Sequence, residues 1–273
     1  MTDQPDVSVI IAAYRAADFI ATAVRSALAQ AEISLQVVIA PDDGADYGFL
    51  RALDPRVVVL DPLPPATRPT GPAAARNRAL AAARGRFIAL LDADDYWSPA
   101  YLQRLLPLAF AEGLAFGRTA IADWDGTERR SIPRRSSAMR IDYSHFADAF
   151  GSLHAVVRRD ATRAWHDILA EDVLFDVESL ALAGGSAPYA EDAVYWLRLS
   201  PQSMTHGDDF INGIDAGYTA IIDHIARGKT LIPAQEAGAA IAVFRAWQAM
   251  NLRFSKAHAV DPALEFHAYI AGL

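Results

Sequence analysis

Residues 92–95 read Asp-Ala-Asp-Asp and follow directly on an apolar run, Phe-Ile-Ala-Leu-Leu at 87–91. A run of that length suits a strand buried on both faces. In open α/β sheets ligands gather beyond the carboxyl ends of the strands, so Asp92, Asp94 and Asp95 stand where a substrate would sit. Carboxylate oxygens are hard ligands for Mg2+ or Mn2+, ions that take one or two carboxylates and complete their shell with water and phosphate oxygens. The chemistry this suggests is a metal-bridged diphosphate. An isolated Asp-x-Asp is more often a solvated acidic turn, so the rest of the chain must carry the argument.

Other charged residues recur at comparable places. Asp42-Asp43-Gly44 follows an apolar run at 35–40. Arg76 lies in an alanine-rich helical stretch, 73–83, from which it either reaches a phosphate or is simply solvated. Glu191 and Asp192 open a stretch, Ala-Val-Tyr-Trp-Leu-Arg-Leu at 193–199, whose apolar residues keep helical spacing. Two acids in a first helical turn also favour the helix dipole without any catalytic duty. Arginines at 129, 130, 134, 135 and 140 form either a solvated loop or a site for anionic groups of a substrate.

The elements that must position these groups alternate between strand and helix. Strands are expected at 7–13, 35–40, 56–60, 87–91 and 114–124, with a further one at 154–157 leading to a helix that contains Trp165. Helices fall between them, one ending where Pro107 interrupts it. This alternation implies a largely parallel sheet with right-handed crossovers. From about 208 the pattern becomes helical only, with Ile211, Ile214, Tyr218, Ile221, Ile222 and Ile225 on one face and a second helix over 233–256.

With 25 Lys and Arg against 33 Asp and Glu, the net charge of −8 argues against a general nucleic-acid binder. It leaves room for a small anionic substrate held by a metal. The chain has no cysteine, which removes disulfides and thiolate metal sites. Residues 1–6 lack the basic and apolar regions of a signal peptide, and no apolar run approaches the roughly 20 residues of a membrane span, so a soluble cytoplasmic protein is expected.

Four stretches together resemble the family two glycosyltransferases, nucleotide-sugar enzymes of the GT-A fold. They are Val-Ser-Val-Ile-Ile-Ala-Ala-Tyr at 7–14, Asp42-Asp43-Gly44, the segment from Gly71 through Arg76 and Asn77 to Asp95, and Glu191-Asp192 leading into 196–199. The resemblance covers about 7–200. It implies an α/β fold with a Rossmann-like, mostly parallel sheet flanked by helices. The domain would span 1–205, with a nucleotide-binding half at 1–97 and an acceptor half at 98–205, followed by a helical extension at 206–273. It also implies inverting transfer of a sugar from a nucleoside-diphosphate sugar, a UDP-sugar foremost, to a saccharide or lipid-linked acceptor, with surface-polysaccharide assembly as the setting. On this pattern Asp94, supported by Asp92, holds Mn2+ or Mg2+. Ala13, Tyr14, Asp42 or Asp43, Arg76, Asp92, Ala93 and Asp94 surround the donor, and Asp192 is the general base with Glu191 beside it.

The chain departs from the family pattern at Ala12, Arg15, Pro41 and Ala45-Asp46, which bear on contacts to the base. Two other readings compete. In a haloacid-dehalogenase-type phosphatase a Thr normally follows the acids where Tyr96 stands here. A non-catalytic, nucleotide-binding or scaffolding member of the same fold would not need the retained acids. The apolar stripe of the tail leaves both a peripheral membrane contact and a homo-oligomer interface open.

Overall fold

The computed structural model describes residues 4–64, 67–133, 139–162, 164–199 and 210–272. Its first half is parallel. Strands β1 (Val7–Ala13), β2 (Leu35–Pro41), β3 (Val57–Val59) and β4 (Phe87–Leu90) lie in the order β3-β2-β1-β4. Helix α1 (Ile20–Leu28), a short 3-10 turn at Gly48–Ala52 and helix α2 (Pro72–Ala82) connect them. Continuous apolar runs form these strands because both faces are covered. Val9 and Ile11 face one core layer with α1, while Ile10 between them faces the other with α2. Each such side chain contributes roughly 1.5–3 kcal/mol when fully buried.

Beyond β4 the sheet continues through β9 (Val156–Arg158), β6 (Leu114–Asp123), β10 (Ser186–Leu199) and β5 (Tyr96–Trp97). Strand β9 is antiparallel to both neighbours, whereas β10 runs parallel to β6. Two short strands, β7 (Glu128–Ile132) and β8 (Arg140–Asp142), attach antiparallel to β6 and β10. The central sheet is mostly parallel and flanked by helices, as expected.

Helix α3 (Tyr101–Glu112) runs on through Pro107 rather than ending there. Proline removes one helical hydrogen bond, but Leu102, Leu105, Leu106 and Ala109 keep a buried face on both sides of it. Trp165 is not helical. It lies in the irregular segment before α5 (Glu171–Leu182), where its backbone N–H donates to Asn77 Oδ1 at 2.7 Å and its carbonyl accepts from Asn77 Nδ2 at 2.9 Å.

The stretch 193–199 is strand, not helix. Val194, Tyr195 and Trp196 favour the extended state, and six consecutive residues from Val194 to Leu199 pair with β6. Glu191, Asp192 and Ala193 form a bulge between the two paired parts of β10. Gly117 is opposite: a Cβ there would lie 2.5 Å from the Ala193 carbonyl oxygen.

Helices α4 (Tyr143–Ala149), α6 (Phe210–Ala226), α7 (Ala237–Val260) and α8 (Phe266–Ala271) complete the described chain. Ile221 of α6 and Phe244 and Trp247 of α7 join the same buried layer as Phe116, Phe146 and Leu174. The expected boundary at 205–206 falls outside the described residues, as do Arg134 and Arg135. Arg129 is paired with Asp123 and Glu265, Arg140 with Glu112, and Arg130 donates to the Ala149 and Phe150 carbonyls. No helix among the described residues is long and apolar enough to cross a membrane.

Candidate active site

Two cavities meet at the carboxyl end of β4. The first, about 420 Å3, is lined by Ala12, Tyr14, Asp42, Gly71, Arg76 and the turn Asp92-Ala93-Asp94, among others. Parallel strands β1, β2 and β4 end together, so residues distant in sequence converge there. Gly71 starts α2 with a φ of 91°, in the left-handed region that favours glycine.

Asp42 reaches this cavity but is also a brace. It is buried and accepts hydrogen bonds from the Thr70 N–H, the Thr70 hydroxyl and the Gly71 N–H, while its own N–H donates to the Ala13 carbonyl at 2.8 Å. Ala13 thus sets the acidic turn through its backbone and does not itself line the cavity. Asp43 does not line it either. Its carboxylate accepts from the Arg15 N–H, the Ala45 N–H and the Tyr47 hydroxyl, tying the turn after β2 to the turn after β1.

Arg76 is buried and committed to protein carboxylates. Its guanidinium donates to Asp92 Oδ1 at 2.7 Å and to Glu171. It lines the first cavity, where a phosphate contact was expected of it, and it also forms part of the wall, bridging the β4 turn to the start of α5. Burial opposes its charge, but Asp92, Glu171 and Asp172 together hold it firmly protonated.

The acids of the β4 turn separate into different roles. Asp92 is costly to bury as an anion, yet Arg76 and His154 hold its carboxyl below the usual range. Asp94 is pushed up to about 6, by burial first and then by the charge of Asp92. Asp95 is pushed well above the usual range by burial and by Asp94 and Asp92. Its oxygens accept from the Tyr195 hydroxyl and the Arg198 N–H, both at 2.8 Å, which makes it the tie between this turn and β10. Arg198 Nε also donates to the Asp94 carbonyl at 2.5 Å and its guanidinium lies over Trp124.

Among the described residues no group of three or more His, Asp or Glu side chains is arranged to hold a metal alone. A diphosphate-bound Mg2+ or Mn2+ needs fewer, because phosphate and water supply the remaining oxygens. Asp94, an acid raised by burial and by the charge of Asp92 and in the lining of the cavity, fits that donor set, and Asp92 stands beside it.

The second cavity, about 350 Å3, lies across the Arg76–Asp92 wall. Its lining includes Asp92, His154, Glu171 and Asp172, with Ser152, Asn251 and His267 as further polar residues, and is otherwise mainly apolar, with Phe150, Leu197, Tyr218 and Trp247 among the side chains. Glu171 and Asp172 form the first turn of α5. Burial pushes the Glu171 carboxyl upward, against the pull of Arg76. Glu191 and Asp192 line neither cavity. They sit in the β10 bulge, and Asp192 pairs with Arg104 at 2.8 Å with both side chains more than half exposed.

The acid pair at the cavity is thus Glu171-Asp172, which the sequence reading passed over. Its signal was available: the pair is followed by Val173, Leu174, Val177, Leu180 and Ala181, buried at helical spacing. His154 carried no such signal, since only the fold brings it beside the acids.

The family model described as glycosyl transferase family 2 matches residues 8–164, more than half of the chain. The chain belongs to glycosyl transferase family 2. The match takes in β1 to β9 and stops just before α5. One curated relative is the succinoglycan biosynthesis protein ExoO of Rhizobium meliloti (strain 1021), 41% identical over 133 residues, 46% of this chain and 36% of that protein. Another is the Escherichia coli UDP-Glc:alpha-D-GlcNAc-diphosphoundecaprenol beta-1,3-glucosyltransferase WfaP, 39% identical over 94 residues, 33% of this chain and 36% of that one. The chain therefore spans about a third of the length of each of these two relatives. Among solved structures, S. aureus TarS in complex with UDP-GlcNAc aligns with a TM-score of 0.66 at 17% identity, over 97% of this chain and 79% of that one. The Pyrobaculum calidifontis mannosyltransferase PcManGT, in complex with GDP-Man and Mn2+, aligns with a TM-score of 0.59 at 16% identity, over 99% of this chain and 80% of that one. These place the family 2 chain in the GT-A fold.

Proposed function

We propose that this family 2 chain transfers a sugar from a UDP-sugar to an acceptor hydroxyl with inversion, in the cytoplasmic assembly of a bacterial polysaccharide. The observation that carries it is two cavities of distinct chemistry sharing one wall of Arg76 and Asp92. The donor occupies the cavity under Asp42 and Asp94, and the acceptor the one beside Asp172. The UDP-sugar follows from the named donor of WfaP and the ligand of TarS, and a lipid-linked acceptor from the name of WfaP.

In this reading Asp94, with Asp92 in support, would hold Mn2+ or Mg2+, which would supply positive charge to the departing diphosphate. The protein residues then orient the two substrates. Asp42 faces the nucleotide end of the donor, and the aromatic ring of Tyr14 covers it. Asp172 replaces Asp192 as the group that removes the acceptor proton, because it stands in the cavity the acceptor must enter. Direct displacement by a hydroxyl on the opposite side of the anomeric carbon inverts it. The altered residues Ala12 and Arg15 do not remove any of these groups, which weighs against a purely scaffolding role.

Release of UDP from UDP-glucose, UDP-galactose and UDP-GlcNAc, each with and without Mn2+, tests the reading. Turnover of at least one donor that stops on chelation is the expected result. UDP binding without turnover of any of them, acceptors included, would favour the scaffolding alternative.

A further inference from the structure

We propose that the apolar cavity takes an uncharged sugar ring of the acceptor, and that Nε2 of His154 accepts a hydrogen bond from one of its hydroxyls. This rests on the reading of that cavity as the acceptor site.

The charge of the lining argues for a neutral ring. Its carboxylates are Asp92, Glu171 and Asp172, and the arginine among them, Arg76, is already engaged by Asp92 and Glu171. The other basic groups of the lining are His154 and His267, so three carboxylates face one guanidinium and a phosphate or uronic acid carboxylate placed here would meet an excess of acids. In the same lining, Phe150, Leu197, Ile214, Tyr218 and Trp247 offer apolar faces to the C–H side of a ring. Three of these come from α6 and α7, so the C-terminal helices help complete the chamber.

His154 is held in place by more than its neighbours' packing. It is buried, and its φ of 54° puts a non-glycine residue in the left-handed region. Asp176 maintains that loop by accepting from the Ser152 hydroxyl and from the backbone N–H groups of Leu153, His154 and Ala155, at 2.9–3.0 Å. The imidazole stacks on the Tyr195 ring with centroids 3.7 Å apart and planes within 3°. Tyr195 in turn accepts from the Asp92 N–H and donates to Asp95, so His154 is indexed to the donor turn.

The tautomer follows from its other contact. The Thr119 hydroxyl donates to the Ser152 carbonyl at 3.1 Å, so in its 3.4 Å contact with Nδ1 of His154 the imidazole is the donor. Burial pushes the ring's pKa down to about 4, outweighing the attraction of Asp92 and Asp172, and Arg76 acts in the same direction as burial. A neutral ring that gives its one N–H to Thr119 has a lone pair on Nε2. A hydroxyl of a neutral sugar is a suitable donor to it.

The test is saturation-transfer NMR on the full chain with UDP and Mg2+, which is diamagnetic, using the methyl glycosides of glucose, galactose and N-acetylglucosamine against methyl glucuronide and glucose 6-phosphate. At least one neutral glycoside should bind, the two anionic probes should not, and His154→Phe, which keeps the stacked ring, should weaken the neutral glycoside about 5- to 10-fold. Above about pH 6.5, where the imidazole is neutral in both the folded and the unfolded chain, the variant's melting temperature and UDP affinity should stay unchanged. Binding confined to the anionic probes, no neutral binding, or equal binding by the variant would each overturn the proposal. If His154→Phe does not fold, single-deoxy glycosides on the unmodified protein decide instead: one missing hydroxyl must weaken binding by that factor, and uniform binding across the series overturns it. UDP binding in the same samples separates the two levels. Its absence strikes the donor reading, whereas UDP binding without any neutral glycoside strikes only this inference.

Discussion

The two cavities share Pro72, Arg76 and Asp92 but are built by different means. The cavity proposed for the donor is lined from the first 94 residues, at the ends of three adjacent parallel strands, and of its acids Asp42 is set by the backbone N–H groups of Thr70 and Gly71. The acceptor-side cavity is assembled from the loop before β9, the first turn of α5, the end of β10 and the tail helices. One site therefore rests on local strand-end geometry, and the other on long-range packing. Arg76 is where they meet, and its guanidinium ties the two sides together through Asp92 and Glu171.

The largest effect should come from Asp172→Asn, which breaks the acceptor side alone. Transfer should fall about 10²- to 10⁴-fold while calorimetric UDP affinity with Mn2+ stays the same. Near-wild-type transfer would place the base elsewhere. Arg76→Met should disturb both sides at once, because it strands Asp92 and Glu171 in a buried wall. Removing one partner of a buried pair costs about 3–5 kcal/mol, measurable by urea unfolding. A loss under about 1 kcal/mol would mean the wall does not depend on this bridge.

Asp94→Asn should act on the donor side alone, lowering turnover about 10²- to 10³-fold and removing the Mn2+ enhancement of UDP affinity. Unchanged titrations with Mn2+ would sink the metal assignment. A smaller effect concerns pH. Because the folded His154 titrates near 4, below the usual 6.5, the folded state binds fewer protons than the unfolded chain between those values. Its contribution is present in full above about 6.5 and is lost as pH falls toward 4. Relative to His154→Phe, the unmodified protein should lose about 3 kcal/mol across that window in denaturant titrations, taking 1.36 kcal/mol per pKa unit. Parallel pH profiles of the two proteins would contradict it.

The contrast between the cavities also explains what the sequence reveals. Strands β1 to β4 are legible because burial on both faces writes them as continuous apolar runs, and the acids at their ends are then placed by sheet topology. Asp92 and Asp94 could be found that way, whereas the bracing role of Asp95 depends on Tyr195 and Arg198, 100 and 103 residues away. On the acceptor side the apolar residues of α6 and α7 look the same in sequence whether they fill a core or line a chamber. His154 gains its role from Asp176 and Tyr195, partners that no local pattern links to it.

The sharpest use of this difference is the pair that looked catalytic and is not brought to either cavity. Glu191-Asp192 and Glu171-Asp172 carry the same two residues before an apolar stretch, so local spacing alone cannot rank them. Tertiary pairing does: β-branched and aromatic residues draw 194–199 onto β6, and the acids ahead of them are pushed out as a bulge. There Asp192 meets Arg104 in an exposed ion pair, an arrangement worth about 0–1 kcal/mol at most. Asp192→Asn should therefore leave transfer within about twofold of the unmodified protein, with at most a small change in unfolding midpoint. The double variant Asp172→Asn, Asp192→Asn should then be no slower than Asp172→Asn alone. A hundredfold loss from Asp192→Asn, with folding and UDP affinity intact, would return the base to the β10 bulge and remove the reason for assigning the acceptor to the apolar chamber.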